Sequence, residues 1–451
     1  MPEPRVRPGS AWFGDVRLEG VLESVDVVTE PQRLRTPGWW VLVGTFEGEV
    51  RAWRFATADT EPARAAPAGG DLARAAPSTA TRATAASGAD AAERGAASGW
   101  RGPDAGGWTS SLGRDEYVAA VAAVRARIRE GDVYQANLCR ILSAPLGTAD
   151  AEPDARALAE VLAAGNPAPL AGYVHVPGSA VSPAANVSPA DDVSPAGDVP
   201  PSDDVVPVGD VPPSDDVPPS DDVPPSDDVA PSDDVAPVWV VSASPELFLE
   251  LDGDVLTSSP IKGTARTPDG LSAKDVAENV MITDLVRNDL QHVCEPGTVE
   301  VTSLLAREQH PGLVHLVSTV QGRLAQHVRD DERGWAAILD ATYPPGSVSG
   351  APKSSALRII RELEPVDRGP YCGAVGWVHV ADDGRTRARL AVGIRTFVWT
   401  SDDDGRADGS GTLRFGTGAG ITWGSDAQAE WDETELKAAR LVALASRARA
   451  H

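Results

Sequence analysis

An α+β fold is predicted by three observations along the chain. Tyr117, Val121, Val124 and Ile128 recur at helical spacing. Apolar runs of strand length, bounded by turn residues, occur at 39–43, 50–55, 238–241 and 247–251. The two kinds of segment interleave over 108–177 and 238–451, as expected of an α+β catalytic domain.

Taken in order, residues 1–56 read as a short N-terminal β-rich segment carried by Trp39–Val43 and Val50–Phe55. From 57 to 107 the chain is mostly Ala, Gly, Pro, Arg and Asp without apolar period, the composition of a flexible linker. The helix around Tyr117 stops at Gly131, a residue suited to a left-handed cap. Val133–Leu142 follows as a strand with Gln135 and Asn137 on one face. Residues 178–237 then interrupt the domain with a repeat, Val-Pro-Pro-Ser-Asp-Asp starting at 211, 217 and 223. Proline withholds backbone donors and the aspartates repel one another, so a disordered, solvated surface insertion is expected. A long surface loop adds little closure entropy, which lets a fold carry one. Beyond it, strands are expected at 238–241, 247–251, 374–380, 388–399 and 412–416, and helices at 272–291, 351–363 and 426–449.

Composition narrows the function classes. Across 451 residues, 42% hydrophobic content supports a sizeable core, while 38 prolines and 43 glycines match the two unstructured stretches. A formal charge of −26 without any basic patch argues against a nucleic-acid partner. Fourteen aspartates and no Lys or Arg fall in 178–237, so more than half of that charge is local. Cys139, Cys294 and Cys372 are far apart and lack CxxC spacing, which fits reduced thiols. Met1–Ser10 has no apolar signal core and no run approaches a membrane span, so the cytoplasm is the expected compartment.

The candidate chemistry lies in separated segments. Asp275 and Glu278 stand three apart on one helical face, behind a capping Ser272. Glu430 and Glu433 repeat the spacing, with Ser425 and Gln428 as a capping box and Lys437 one turn further on. Either pair alone reads as a solvated helix face; together they can hold one Mg²⁺, with water and a substrate oxygen completing its shell. Gly350-Ala-Pro-Lys353 opens a helix whose free N–H groups suit an anion, or simply packs. Arg395, in Gly393-Ile-Arg-Thr396 on an apolar strand, calls for a carboxylate partner from substrate or protein. Tyr371 offers a hydroxyl, and a turn at Gly418-Ala419-Gly420 offers close backbone approach. His315 has no partner at metal-ligand spacing and is not a zinc candidate.

The segment Pro260-Ile-Lys-Gly-Thr-Ala-Arg266 is the most informative of all. Glu246 and Lys262 lie across what reads as a β-hairpin, and Gly263-Thr264 can offer backbone donors to an anionic ligand. A glutamate kept protonated by burial can donate to a leaving hydroxyl, and a lysine kept neutral can act as a nucleophile.

In their order and spacing these segments, with Glu278-Asn-Val-Met-Ile-Thr-Asp-Leu-Val-Arg-Asn-Asp289 and Pro345-Gly-Ser-Val-Ser-Gly-Ala-Pro-Lys353, resemble the chorismate-utilising enzymes. That family includes aminodeoxychorismate synthase component I, anthranilate synthase component I and isochorismate/salicylate synthases. The resemblance covers about 108–177 and 238–451. It implies two large antiparallel β-sheets flanked by helices, with a Mg²⁺–chorismate site between them. Glu278 and Glu433 match the direct Mg²⁺ ligands of the family, and Asp275 and Glu430 match outer-shell carboxylates. Gly263, Thr264, Tyr371, Arg395, Gly418, Ala419, Gly420 and Lys437 match chorismate contacts, and His315 a histidine near the substrate. Glu246 matches the acid that assists loss of the C4 hydroxyl.

Two positions select a branch. Isochorismate and salicylate synthases carry a general-base lysine where this chain has Gln135, which disfavours water attack at C2. Anthranilate synthases typically carry alanine where this chain has Lys262, and the aminodeoxychorismate branch carries lysine there. The resemblance thus implies attack of Lys262 on C2, then addition at C4 of ammonia supplied by a glutaminase subunit. The product, 4-amino-4-deoxychorismate, is a precursor of p-aminobenzoate and folate. The alternative reaction is that of a 2-amino chorismate synthase, making anthranilate or stopping at the 2-amino intermediate, and the alternative class is a non-catalytic chorismate-binding subunit. The chain departs from the family at Pro345, which replaces a glycine, at Ser349, which replaces a threonine, and in a shorter N-terminal portion.

Overall fold

The computed structural model describes residues 6–60, 99–147, 152–178, 235–265, 267–310, 313–402 and 410–446. The chain opens with β1 (Arg7–Phe13), β2 (Val16–Asp26), β3 (Gly38–Gly44), β4 (Val50–Thr60) and the short β5 (Thr109–Ser110). Helix α1 (Arg114–Glu130), β6 (Gln135–Pro145), α2 (Ala155–Gly165) and β7 (Leu170–Val176) precede the repeat. After it come β8 (Val238–Ser244), β9 (Leu247–Asp252), β10 (Val255–Ser259), β11 (Ile261–Ala265), α3 (Ala273–Gln291), β12 (Glu300–His310) and β13 (Leu313–Arg323). Then follow α4 (Gln326–Asp330), α5 (Gly334–Thr342), α6 (Gly346–Ser349), β14 (Gly350–Ala351) and α7 (Lys353–Leu363). The last elements are β15 (Ala374–Val380), β16 (Thr386–Val392), β17 (Thr396–Ser401), β18 (Gly411–Ile421) and α8 (Ala427–Ala445).

The strand pairings among the described residues are antiparallel. One sheet runs β12–β13–β10–β9–β16–β15–β3–β4–β2, with β11 also on β13. The other runs β1–β7–β8–β17–β18–β6, with β5 and β14 on β6. Strand β1 pairs with β2 as well as β7, so the two expected sheets are hydrogen-bonded into one continuous surface.

Alternation along the strands sets the layers. Trp40 and Leu42 of β3 pack with Ile282 and Val286 of α3 and Ile338 of α5. Val41 and Val43 turn the other way, into a cluster with Val174 and Val240 of the second sheet. On that sheet, Trp239 and Val241 of β8 meet Leu158 and Leu162 of α2 and Leu441 of α8. The result is helix, sheet, sheet, helix, each interface apolar. Burial of both strand faces is why 39–43 and 238–241 read as continuous apolar runs rather than alternating ones.

Local chemistry fixes the helix ends. Gly131 closes α1 at φ 87°, in the left-handed region. Ser272 and Asp275 form a reciprocal capping box on α3. At α8 the cap is Asp426 rather than the expected Ser425: its carboxylate accepts from Gln428 N (3.1 Å) and Ala429 N (2.9 Å). The Ser425 hydroxyl instead accepts from Thr422 N.

Several expected boundaries move. Residues 1–56 are not a separate segment, because β3 pairs with β15 from Gly38 to Gly44. The expected linker at 57–107 is narrowed from both sides. Strand β4 continues to Thr60, paired with Val16, and the Trp100 indole N–H donates to Ala445 O at 2.9 Å; 61–98 lie outside the described residues. The repeat expected at 178–237 loses its last residues to the core. Val235 is buried, Ala236 N donates to Ser24 Oγ, and Trp53 Nε1 donates to Ala236 O; 179–234 lie outside the described residues. The strand expected at 388–399 breaks in two at 393–395, and the strand expected at 412–416 runs on to Ile421. Gly418-Ala419-Gly420 is therefore strand and not turn, paired across to Cys139, Leu138 and Asn137. All described residues fall in one compact unit built from chain on both sides of 181–234. No described helix is long and apolar enough to cross a membrane.

Val176 stands opposite Val238, so the chain leaves β7 and returns at β8 from adjacent points. Replacing 181–234 by a short Gly-Ser linker is therefore expected to leave the melting temperature within about 3 °C. Val235→Asp in the full chain is expected to lower it by several degrees, since a charge enters the core. Differential scanning calorimetry of the two variants checks both.

Candidate active site

Two strands change sheets at one place, and the site forms there. Strand β8 pairs with β7 and β17 in one sheet, while its continuation β9 pairs with β16 and β10 in the other. Strand β16 continues into β17 by the same crossing. The breaks fall at Pro245-Glu246 and Gly393–Arg395, and they are stitched to each other's strands: Val392 N donates to Glu246 O, and Ala243 N to Arg395 O, both at 3.0 Å. Arg395 takes a left-handed φ of 53°. A break in a ladder re-aims side chains inward, and here it delivers Glu246 and Arg395 to the seam between the sheets.

Lys262 arrives by the hairpin the sequence suggested. The β9–β10 turn puts Ser259 opposite Leu247, so Pro260–Lys262 returns beside Glu246. Register slips in β11 between Ile261, opposite Val317, and Thr264, opposite His315. Gly263 absorbs the slip at φ 87°, and a Cβ there would stand 2.7 Å from that of Asp275. Helix α3 is locked onto these strands by Asn279, which is fully buried. Its Nδ2 donates to Leu316 O (2.9 Å) and Lys262 O (3.4 Å), and its Oδ1 accepts from Ser318 Oγ (2.5 Å). Glu278, one residue earlier, is thereby held in the field of the Lys262 amine.

Burial dominates the electrostatics. It pushes the Lys262 amine below the ordinary lysine range, against the pull of Glu278 and Glu246; Lys437 adds to the lowering and Glu433 opposes it. It pushes the Glu246 carboxyl up, against a hydrogen bond from Ser347 and the charges of Lys262 and Arg395. Glu246 Oε1 is buried without a hydrogen-bond partner. Burial also raises Glu278, against Lys262 and Lys274 and together with Glu430. For Arg395, burial lowers the guanidinium against the charge of Glu246.

The four expected metal carboxylates divide. Glu278 Oε1 is buried with no hydrogen bond, facing Lys274 Nζ at 3.6 Å. The same ammonium reaches Glu430 Oε1 at 3.0 Å across to α8, where Glu430 is buried. Glu433 is half exposed and pairs with Lys437 at 2.7 Å. Burial raises its carboxyl, but the Lys437 ion pair outweighs this and the net direction is down. Asp275 Oδ2 accepts from Ser272 N (2.8 Å) and Ser272 Oγ (2.7 Å) as part of the cap, while the Asp275 charge also bears on Glu278. Among the described residues no three His, Cys, Asp or Glu groups converge as a ready ligand set. The donors that remain, Glu278, Glu430 and Glu433, are all oxygen, and the orphaned Glu278 oxygen suits a hard dication.

The remaining expected positions are placed unevenly. Gln135 is fully buried, its Nε2 3.4 Å from Asn137 Oδ1 and its Oε1 without a partner. A Cβ on Gly420 would meet Gln135 Nε2 at 2.3 Å, so glycine there makes room for that amide. Lys437 Nζ donates to Gly418 O at 3.0 Å and ties α8 to β18. His315 is buried on β13 opposite Thr264, whose side chain lies outside the described residues. Tyr371 is buried, its ring packed on Gly416, and burial pushes its hydroxyl up with the neighbouring Cys139 and Cys372 thiols adding to the rise. Ser347, Asn279 and Lys274 were not anticipated. Only Lys274 left a signal, its i,i+4 spacing to Glu278.

Comparisons with known proteins show the family and the fold. A family model for chorismate binding enzymes matches residues 71–189 and 233–443. Anthranilate synthase component 1 of Streptomyces coelicolor is 32% identical over 356 residues, covering 76% of this chain and 54% of that protein. The corresponding protein of Saccharolobus solfataricus is 38% identical over 211 residues, covering 44% and 46%. Aminodeoxychorismate synthase component 1 of Klebsiella aerogenes is 39% identical over 217 residues, covering 45% and 44%. The chain thus spans about half the length of the curated relatives it matches. Among solved structures, anthranilate synthase component I from Streptococcus pneumoniae superposes with a TM-score of 0.57 at 18% identity, covering 98% of this chain and 93% of that one. The menaquinone-specific isochorismate synthase MenF of Escherichia coli gives 0.58 at 14%, covering 98% and 89%. At those identities the likeness establishes the fold.

A lysine whose amine is pushed down by burial costs stability wherever the unfolded chain would hold its proton. That penalty is complete below the folded-state value, shrinks as pH rises through it, and vanishes above the ordinary ~10.4. Lys262→Met is therefore expected to raise the melting temperature at pH 7, by an increment that diminishes toward pH 10. A lower melting temperature at pH 7 would mean the amine is well compensated.

Proposed function

The chain belongs to the chorismate binding enzymes, and we propose that within them it is an aminodeoxychorismate synthase component I. The observation that carries this reading is the return of Lys262 by the β9–β10 hairpin beside the buried carboxyl of Glu246, where burial lowers the amine and raises the carboxyl. A neutral amine can attack C2 of chorismate while protonated Glu246 gives its proton to the C4 hydroxyl, which leaves as water. Ammonia then adds at C4, loses a proton, and expels the Lys262 amine from C2, giving 4-amino-4-deoxychorismate, a precursor of p-aminobenzoate and folate. Fully buried Gln135 supplies no base to activate water at C2. Arg395 makes no ion pair with a described residue and lies at the seam beside Glu246, which suits a substrate carboxylate. Glu278, Glu430 and Glu433 would hold Mg²⁺, which when bound anchors a substrate carboxylate. A glutaminase subunit is the fitting ammonia source, as the "component 1" names of the relatives suggest a second component.

Anthranilate synthesis is the second reading, favoured by the names of the Streptomyces and Saccharolobus relatives. Purified protein incubated with chorismate, Mg²⁺ and ammonium separates the two by mass spectrometry. Aminodeoxychorismate is expected, and anthranilate with pyruvate would contradict the branch. Lys262→Ala is expected to abolish measurable turnover, and Glu246→Gln to lower kcat by about 10²–10⁴. The pH profile of kcat/KM is expected to be bell-shaped, falling on the acid side as Lys262 gains a proton and on the alkaline side as Glu246 loses one. Because burial lowers the one and raises the other, both limbs lie closer to neutrality than for exposed side chains.

A further inference from the structure

Glu246 must recover its proton after each turnover, and burial separates it from bulk water. Behind it lies a cavity of about 10 Å³ whose lining includes Glu246, Ser258, Asp289, Thr342 and Ser347. That is room for one water molecule, and five polar side chains are more than enough to hold one. Asp289, near the end of α3, is itself nearly buried and is one of two carboxyl groups lining this space. Its Oδ2 accepts from Lys353 Nζ at 2.8 Å, and the same ammonium donates to Thr342 O at 3.1 Å. Lys353 opens α7, and its side chain retains 18% exposure, so its ammonium can exchange protons with solvent. Burial raises the Asp289 carboxyl, while Lys353 and His292 pull it down.

We propose that Asp289 and Lys353 form a proton-return relay to Glu246 through one water in this cavity. The inference rests on the reading of Glu246 as the acid for the C4 hydroxyl. In one cycle Glu246 gives a proton to the departing hydroxyl. Lys353 then passes a proton to Asp289, Asp289 gives one to the cavity water as that water gives one to Glu246, and Lys353 regains its proton from solvent. The ammonia that adds at C4 releases one proton to solvent, so the cycle neither consumes nor produces protons. Asp289 and Lys353 thus act through Glu246 and do not touch substrate.

The test compares the first turnover with the steady state, using full-length protein with chorismate, Mg²⁺ and ammonium. Enzyme that starts with Glu246 protonated needs no relay for its first turnover. Asp289→Asn is therefore expected to keep the single-turnover rate within about threefold, to lower kcat at least tenfold with kcat/KM unchanged, and to raise the solvent isotope effect on kcat. Asp289→Glu, which keeps a carboxyl near Lys353, is expected to restore most of kcat and serves as the second variant should Asp289→Asn fold poorly. Equal loss in single-turnover and steady-state rates would overturn the relay, as would an unaltered kcat in Asp289→Asn or a folded Asp289→Glu with kcat reduced at least tenfold. Wild-type enzyme that makes aminodeoxychorismate while Asp289→Asn matches it leaves the proposed function standing and removes only the relay. Wild-type enzyme that forms no product lacking the C4 hydroxyl overturns both.

Discussion

The crossing of two strand pairs from one sheet to the other is the constraint on which the site depends. A strand that changes sheets must break its ladder, and β8–β9 and β16–β17 break side by side. Backbone groups at the breaks satisfy one another, which leaves the side chains of Glu246 and Arg395 turned toward the seam. Lys262 reaches the same seam through the slip at Gly263. The acidic helices close over it, α3 held by the buried amide of Asn279 and α8 by Lys437 on Gly418. Asn279 lies outside the expected substrate contacts, yet it fixes the strand and helix that carry Lys262 and Glu278.

Placing a lysine and a carboxyl in a seam between apolar layers is unfavourable taken alone. Burial works against the charged form of each, and their mutual attraction offsets only part of that cost. The compensation is spread through the rest of the fold, in apolar clusters on both sides of each sheet. Strained backbone accompanies the site, with left-handed φ at Arg395 and at Cys372, whose N–H donates to Gly393 O at 2.9 Å. Strain and desolvation at one place, supported by a large ordinary core, are what a preorganised active site requires.

Much of this was legible in the sequence because its signals are local. The helices at 273–291 and 353–363 and the stop at Gly131 follow from caps and periodicity. Glu246, Lys262 and Glu278 stand together as expected because a hairpin and one helix, both local elements, carry them. What escaped depends on contacts across the chain. Ser272 reads as a cap in the sequence, but that both its N–H and its hydroxyl bond one oxygen of Asp275 shows only in the fold. Tyr371 is buried against Gly416 beside the thiols of Cys139 and Cys372, a placement set by strands far apart in the chain. Gly418–Gly420 look like a turn in sequence, and only the ladder to β6 makes them strand. The N-terminal strands carried no mark of joining the catalytic sheet, since pairing of β3 with β15 spans most of the chain.

The central claim is that the ε-amine of Lys262 bonds to the substrate ring, and it can be tested with the acceptor withheld. Enzyme incubated with chorismate and Mg²⁺ but no ammonia or glutamine should accumulate an adduct, read by intact mass and peptide mapping. The account expects a mass increase equal to chorismate minus water on the peptide carrying Lys262. Unmodified enzyme under those conditions, with product still formed once ammonium is added, would contradict it.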